Sequence, residues 1–348
     1  MTPPCTLLSL ATAVPPHLLS QSAAKDLGRR AFRRKNLFDK LSTVFDNAAI
    51  ANRHLVAPIE WYAEPHGWAD RNAVYLAASE TLFEDAARAA IDRAGLAPDQ
   101  IDGVVSVSTT GIATPSLEAR VGPRLGLRQD VRRVPVFGLG CAGGVSGLAL
   151  AARLAASDPG SNWLFVTVET CSISIRLDSD DPAAVVATAL FGDGAAAAVV
   201  TTGDGGLARI RGSGEKLWPD TLGIMGWRVE DPGLGVVFDR AIPPFIADNL
   251  AAAIDEMCVH IGTAREDIAR FCFHPGGAKV VDAIEQALDL PQGELNLERE
   301  VLRDHGNMSA PTVLFVLDRL LERGLPERVL MSAFGPGFTC AGLLLEAA

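Results

Sequence analysis

Apolar residues recur at helical spacing over residues 77–94 and again over 245–261, and the two stretches stop in the same way. The first ends at Gly95, passes through Leu-Ala-Pro-Asp-Gln-Ile-Asp and enters the β-rich run 104–110. The second ends at Gly262, passes through Thr-Ala-Arg-Glu-Asp-Ile-Ala and enters 270–274. Glycine closes helices because the left-handed conformation costs it little, so both stretches read as helix, stop, acidic linker with isoleucine, strand. This faint repeat predicts two related halves, 1–203 and 204–348, divided in the glycine-rich stretch 203–206. Further buried strands are expected at 163–168, 195–200 and 328–333, with helices at 145–156 and 312–321. Helices alternating with short apolar runs indicate an α/β fold. No linker is long or polar enough to imply independently mobile domains.

The length of 348 residues suffices for a large core, and 33 glycines suit close packing of helices on a sheet. A net charge of −11 argues against an extended nucleic-acid surface, which needs cations to neutralise phosphates. Two local basic clusters stand out, Arg29, Arg30, Arg33, Arg34 and Lys35, and, at helical spacing, Arg120, Arg124 and Arg128. Both read first as solvated faces, with contact to an anionic ligand as the alternative. The six cysteines (5, 141, 171, 258, 272 and 340) form no C-x-x-C pair, which fits a reduced, cytoplasmic protein. The apolar run 6–14 has no Lys or Arg before it, so it is not read as an export signal. Arg153 interrupts the small apolar helix, and no other stretch offers about twenty apolar residues for a membrane span.

Three segments carry candidate chemistry. Phe137-Gly-Leu-Gly-Cys141-Ala-Gly-Gly144 takes a cysteine out of a strand and into a helix start, where backbone N–H groups and the helix dipole favour a thiolate. The plain alternative is a buried cysteine in a Gly/Ala packing turn. Phe271-Cys-Phe-His274-Pro-Gly-Gly277 sets a histidine at a strand end, and Arg303-Asp-His-Gly-Asn307-Met-Ser-Ala-Pro311 sets an amide in a turn before a helix. Alone, His274 reads as a satisfied core histidine and Asn307 as a turn former. Together, thiolate, imidazole and carboxamide would attack a thioester and donate hydrogen bonds to a developing oxyanion or enolate. Cys258, His260, Cys272 and His274 could be drawn as a zinc site, but spacing i and i+2 within a helix points Cys258 and His260 apart, so no metal is expected.

Gly-Cys141-Ala-Gly-Gly, Phe273-His274-Pro-Gly-Gly, Gly306-Asn307-Met-Ser and Phe334-Gly-Pro-Gly337, with Ala189-Leu-Phe191-Gly-Asp-Gly-Ala, resemble the type III polyketide synthases, the chalcone synthase group of the thiolase superfamily. The resemblance implies a duplicated αβαβα thiolase fold, a homodimer, no cofactor, and malonyl-CoA and acyl-CoA as substrates. It implies that Cys141 accepts the acyl group, that His274 is its ion-pair partner, and that Asn307 with His274 stabilises the enolate left by malonyl decarboxylation. Phe191 would be a gatekeeper, with Trp227 near the position of a second one. Thr109, Thr110, Cys171, Ser174 and Ser309 match cavity positions, as does the loop Gly335-Pro336-Gly337. Thr114 lies near a position that reaches across the dimer. Arg53 matches a CoA-phosphate contact and Lys279 falls beside another. Met225-Gly-Trp227-Arg-Val and Asp231-Pro-Gly-Leu-Gly-Val-Val-Phe-Asp-Arg resemble bacterial members that make alkylresorcinols or alkylpyrones from long-chain acyl-CoA. An aromatic or malonyl starter, or a carrier-dependent ketoacyl synthase of the third type, is the alternative.

Overall fold

The computed structural model describes residues 4–348. Its strands are β1 (Cys5–Ala13), β2 (His17–Ser20), β3 (Asn52–Leu55), β4 (Gly103–Val107), β5 (Arg132–Val136), β6 (Trp163–Thr170), β7 (Asp193–Thr202), β8 (Ala208–Leu217), β9 (Met225–Glu230), β10 (Gly233–Phe238), β11 (Arg270–Phe273), β12 (Arg328–Gly335) and β13 (Thr339–Ala347). Nine of them form one sheet in the order β11-β12-β13-β8-β1-β7-β6-β4-β5. The first half contributes β5-β4-β6-β7-β1 and the second contributes β11-β12-β13-β8, the same order without a counterpart of β5. Strand directions repeat as well. β4 runs parallel to β6 and β11 parallel to β12, and every later pair in each half is antiparallel. The two halves join where β1 and β8 pair over Cys5–Leu7 and Ala208–Ile210.

Helices fill both faces. Gly143–Ser157 and Thr312–Arg323 lie in the central layer, between the two halves of the sheet. Trp68–Arg93 and Leu117–Leu125 cover the outer face of the first half, and Ile242–Ile261 and Ala278–Ala287 that of the second. The alternation of strand side chains divides the core accordingly. In β6, Trp163 and Phe165 face the central helices while Leu164, Val166 and Val168 face Trp68–Arg93. The result is the five-layered αβαβα arrangement that the resemblance implies. Glycine in the central helix, at about 1 kcal/mol against alanine, permits the sandwich: a Cβ on Gly143 would stand 2.6 Å from Val107 Cγ1.

The repeat seen in the sequence has a structural counterpart. Gly95 (φ 70°) and Gly262 (φ 85°) both end helices in the left-handed region. The linkers form equivalent 3₁₀ turns, Pro98–Gln100 and Arg265–Asp267. Gln100 Oε1 accepts from Ala97 N at 2.7 Å, and Asp267 Oδ2 from Ala264 N at 3.2 Å.

Three expectations are adjusted. The helix expected from 77 begins at Trp68, and the one expected from 245 begins at Ile242, with Pro243 and Pro244 in a first turn that has no helical N–H bonds to lose. The strand expected through 110 ends at Val107, because Thr109 and Thr110 turn to the Glu169 carboxylate. The cluster Arg120, Arg124 and Arg128 is broken by the left-handed Gly126 (φ 84°). Its guanidinium groups are taken by Glu80, Glu84, Asp102 and Asp130. No described helix is long and apolar enough to cross a membrane.

Candidate active site

Past β5 the chain turns at Gly138 (φ 97°) and Gly140 (φ 49°), both in the region that favours glycine, and the 3₁₀ turn Gly140–Ala142 opens into the central helix. Cys141 therefore stands at a helix start, as expected. The loop after β12 presses on this turn. A Cβ on Gly335 would lie 2.6 Å from Ala142 Cβ and 2.7 Å from Leu139 O, and one on Gly140 would lie 2.7 Å from Pro336 Cδ. Gly335-Pro336-Gly337 is thus mainly a brace for the nucleophile turn; of the three, Pro336 borders a cavity.

His274 continues β11, its N–H donating to Ser332 O at 2.9 Å, and its ring is buried. Neither ring nitrogen has a hydrogen-bond partner among the described residues. Asn307 follows the left-handed Gly306 (φ 67°) and bridges to Phe191. Asn307 N donates to Leu190 O at 2.8 Å and Gly192 N donates to Asn307 O at 3.0 Å. The carboxamide orientation follows from its partners. Ser309 N can only donate, so the atom 2.8 Å away is Oδ1; Gly276 O can only accept, so the atom 3.0 Å away is Nδ2. The second Nδ2 hydrogen is left for a substrate.

Cys141, His274, Asn307 and the exposed Lys279 border one mostly apolar cavity of about 620 Å³, whose walls include Leu41, Val44, Leu190, Ile246 and Phe338. Cys141 also borders a second cavity of about 30 Å³, with Cys171, Phe191, Trp227, Ser309 and Pro336. Thr110, Ser174 and Trp227 border a third of about 10 Å³. The Phe191 ring centre lies 5.9 Å from that of Trp227 and 5.8 Å from that of Phe238. This aromatic cluster closes the inner space beside the nucleophile.

Burial acts on each reacting group in the direction of its neutral form. It pushes the Cys141 thiol up to about 12, against the Ser309 hydroxyl, which pulls it back, and pushes His274 down to about 3. An ion pair here has to form as a unit, by transfer of the thiol proton to the imidazole, each charge compensating the other's desolvation.

Family models for the N-terminal and C-terminal domains of chalcone and stilbene synthases match residues 2–204 and 209–348. The chain belongs to this family. It is 38% identical to a 1,3,6,8-tetrahydroxynaphthalene synthase of Streptomyces peucetius subsp. caesius, over 96% of this chain and 91% of that one. It is 34% identical to a putative chalcone synthase of Bacillus subtilis, over 98% of both. Among solved structures, the tetrahydroxynaphthalene synthase of Streptomyces coelicolor, a bacterial type III polyketide synthase, superposes with a TM-score of 0.92 at 30% identity, covering 98% of this chain and 99% of that one.

Within this chalcone and stilbene synthase fold the expected site residues divide. Cys141, His274, Asn307 and Lys279 share the large cavity, and Cys171, Phe191, Trp227 and Ser309 share the small one. Thr109 instead ties the site together: its Oγ1 accepts from Gly140 N at 3.3 Å, and its N–H donates to both oxygens of Glu169. Arg53 is corrected. It is wholly buried, its Nη1 donating to Phe191 O at 3.4 Å, so it cannot meet a CoA phosphate at the surface. It packs where Cβ atoms on Gly192 and Gly306 would come within 3.2 and 3.4 Å of its own Cβ, beneath the Phe191–Asn307 bridge. Two residues were given no role in the site from the sequence, Phe238, which was read only as part of the 231–240 motif, and Glu169. Glu169 is wholly buried and pushed up to about 8 by desolvation, against the Thr109 and Thr110 donors. Its signal was its place as the lone charged residue of β6, Trp-Leu-Phe-Val-Thr-Val-Glu-Thr.

Proposed function

We propose that this type III polyketide synthase loads a fatty acyl group from its CoA thioester onto Cys141, extends it with malonyl-CoA and releases an alkylpyrone or alkylresorcinol, without a cofactor. The observation that supports the chemistry is that Cys141, His274 and Asn307 border one cavity, while neither imidazole nitrogen of His274 has a hydrogen-bond partner among the described residues and one Nδ2 hydrogen of Asn307 is left over. In the loading step His274 takes the thiol proton, Cys141 Sγ bonds to the acyl carbon, and CoA leaves as the thiol with that proton. In extension, the malonyl carboxylate leaves as carbon dioxide, and its bonding pair becomes an enolate whose oxygen is met by Asn307 Nδ2 and a His274 N–H. The enolate carbon attacks the acyl group on Cys141, the C–S bond breaks, and the lengthened chain returns to CoA. Apolar Phe191, Trp227 and Phe238 disfavour an ionised malonyl carboxylate on the inner side, which favours its loss.

The starter assignment rests on the outer cavity, whose Leu41, Val44, Val186, Leu190, Ile246 and Phe338 walls suit methylene groups. A malonyl starter is the second reading, favoured by the names of the tetrahydroxynaphthalene synthase relatives. A homodimer is also proposed, with support from the exposed Phe137 and Ile112 and a groove of about 390 Å³ beside the edge strand β5. Incubation with malonyl-CoA and acyl-CoA starters from acetyl to stearoyl, plus a coumaroyl starter, with products identified by mass spectrometry, tests the assignment. Alkylpyrones or alkylresorcinols rising with chain length are expected. Products from malonyl-CoA alone, or only from coumaroyl-CoA, would overturn the starter.

A further inference from the structure

Asp193 is wholly buried and takes no part in the proposed reaction, yet three donors point at its carboxylate. Ser172 N donates to Oδ1 at 2.7 Å, Val56 N donates to Oδ2 at 2.8 Å, and the Ser172 hydroxyl also donates to Oδ2. With its own hydrogen committed there, Ser172 Oγ accepts from the Tyr62 hydroxyl at 2.6 Å. Each donor belongs to a segment that reaches the active site. Ser172 lies in the 3₁₀ turn Cys171–Ser174, of which Cys171 borders the small cavity beside the nucleophile and Ser174 the third cavity. Val56 follows β3, whose Arg53 donates to the Phe191 carbonyl at 3.4 Å. Asp193 itself stands two residues after Phe191, at the start of β7, where its backbone pairs with Thr170 of β6. A closed ring results. It runs from Phe191 through Arg53 to Val56, from Val56 to the Asp193 carboxylate, and along the chain back to Phe191, with the Cys171–Ser174 turn held by the same carboxylate.

We propose that Asp193 is a positioning residue for chain extension, fixing the Cys171–Ser174 wall against the Phe191 gate across the space beside Cys141. This role rests on the proposed condensation and holds for whichever starter is loaded. Both carboxylate oxygens are needed, because each faces a backbone N–H, and an N–H can only donate. An amide at this position offers one accepting oxygen and turns an NH₂ group toward the other donor, which leaves a buried N–H without a partner. The turn or the segment after β3 must then move. The groups that serve decarboxylation are held by other means. His274 N donates to Ser332 O, the Asn307 carboxamide is fixed by Ser309 N and Gly276 O, and the Asn307 backbone is fixed by Leu190 O and Gly192 N. None of these contacts uses the Asp193 side chain. Loss of the carboxylate therefore separates the two steps: release of carbon dioxide keeps its donors, whereas extension loses the fixed wall of the space into which the chain grows.

The test follows the wild type, Asp193→Asn and Ser172→Ala in two assays, release of carbon dioxide from malonyl-CoA alone and polyketide formation from malonyl-CoA with the acyl-CoA that the wild type uses best, with thermal melting alongside. Asp193→Asn should keep its rate of carbon dioxide release and its starter KM within about twofold, while kcat for polyketide formation falls at least about tenfold. Ser172→Ala keeps the backbone N–H on Oδ1 and loses only the hydroxyl, so it should show the same split with a smaller loss, about threefold. Unchanged polyketide turnover in a folded Asp193→Asn overturns the proposal. So does an equal loss in both assays, since that result assigns Asp193 to the fold alone. Where Asp193→Asn does not fold, Ser172→Ala decides: a loss confined to polyketide formation supports the role, and unchanged or equally reduced rates overturn it. A wild type that forms no polyketide from any acyl-CoA or from malonyl-CoA alone overturns the proposed function, and this role with it.

Discussion

Gly335→Ala should separate the brace of the nucleophile turn from the stability of the fold. Carbon atoms in contact settle at about 3.5 to 4.0 Å, whereas the added Cβ would begin 2.6 Å from Ala142 Cβ, with Leu139 O at 2.7 Å and Thr339 Oγ1 at 2.9 Å. The 3₁₀ turn and the β12 end must part by about 1 Å to accept it. Overpacking of this kind costs about 1–3 kcal/mol, offset in part by about 0.5–1 kcal/mol from replacing glycine inside an extended element. The enzyme should fold with a slightly lowered melting temperature. Catalysis should suffer far more. The turn that gives way carries Cys141, and a displacement of about 1 Å at a reacting group can reduce turnover about 100-fold. Gly212→Ala is the comparison, because its Cβ would meet only the Ile261 Cγ2 methyl, at 2.9 Å, on a strand remote from the site. It should keep full turnover. The assay is polyketide formation from an acyl-CoA and malonyl-CoA, with thermal melting alongside. Gly335→Ala with unchanged turnover, or with a loss no greater than that of Gly212→Ala, would refute the bracing argument.

Cys141→Ala should abolish condensation and retain release of carbon dioxide from malonyl-CoA, because the enolate donors persist; a folded variant that releases none contradicts the division of roles. Asn307→Ala should suppress that release at least about tenfold, in line with the loss of one oxyanion donor, and an unchanged rate removes the carboxamide from the step. His274→Ala leaves the Cys141 thiol to titrate alone, pushed up to about 12 by burial, so inactivation by iodoacetamide near pH 7 should slow and move to alkaline pH. An identical pH profile would show that the imidazole does not take the thiol proton. Glu169 sits at about 8, above the ordinary carboxylate value of about 4.3, so the native state holds its proton where the unfolded chain has lost it. Stability then falls as pH rises through that window, and Glu169→Gln should flatten the decline in melting temperature between pH 5 and 8. A parallel decline in both proteins would place the proton elsewhere.

The sequence disclosed the elements whose evidence is local. Gly95 and Gly262 announced helix ends, the linkers after them announced the duplication, and the glycines around Cys141 announced a turn at a helix start. Residues whose meaning depends on distant packing were misread or missed. Arg53 looks like a surface cation because arginine usually is one, yet Gly192 and Gly306, far off in the chain, leave the space that encloses it. Glu169 looks like a strand terminus until Thr109 and Thr110 are folded onto it. Both are ionisable groups brought inside by contacts more than fifty residues away, and such a burial has no periodicity to display. The two errors have a common consequence for the site. Arg53 holds the Phe191 carbonyl and packs against Gly306, next to Asn307 in the chain, and Glu169 joins Thr109, which holds Gly140. Gate and nucleophile turn are therefore each tied to a buried ionisable side chain that does not border the large cavity. Substitutions at Arg53 and Glu169 should accordingly alter turnover while leaving the affinity for an acyl-CoA nearly unchanged, whereas Lys279→Ala, at the cavity edge, should do the reverse. Kinetic separation of kcat from KM for the three variants decides between a site set by its buried supporting side chains and one set by its lining alone.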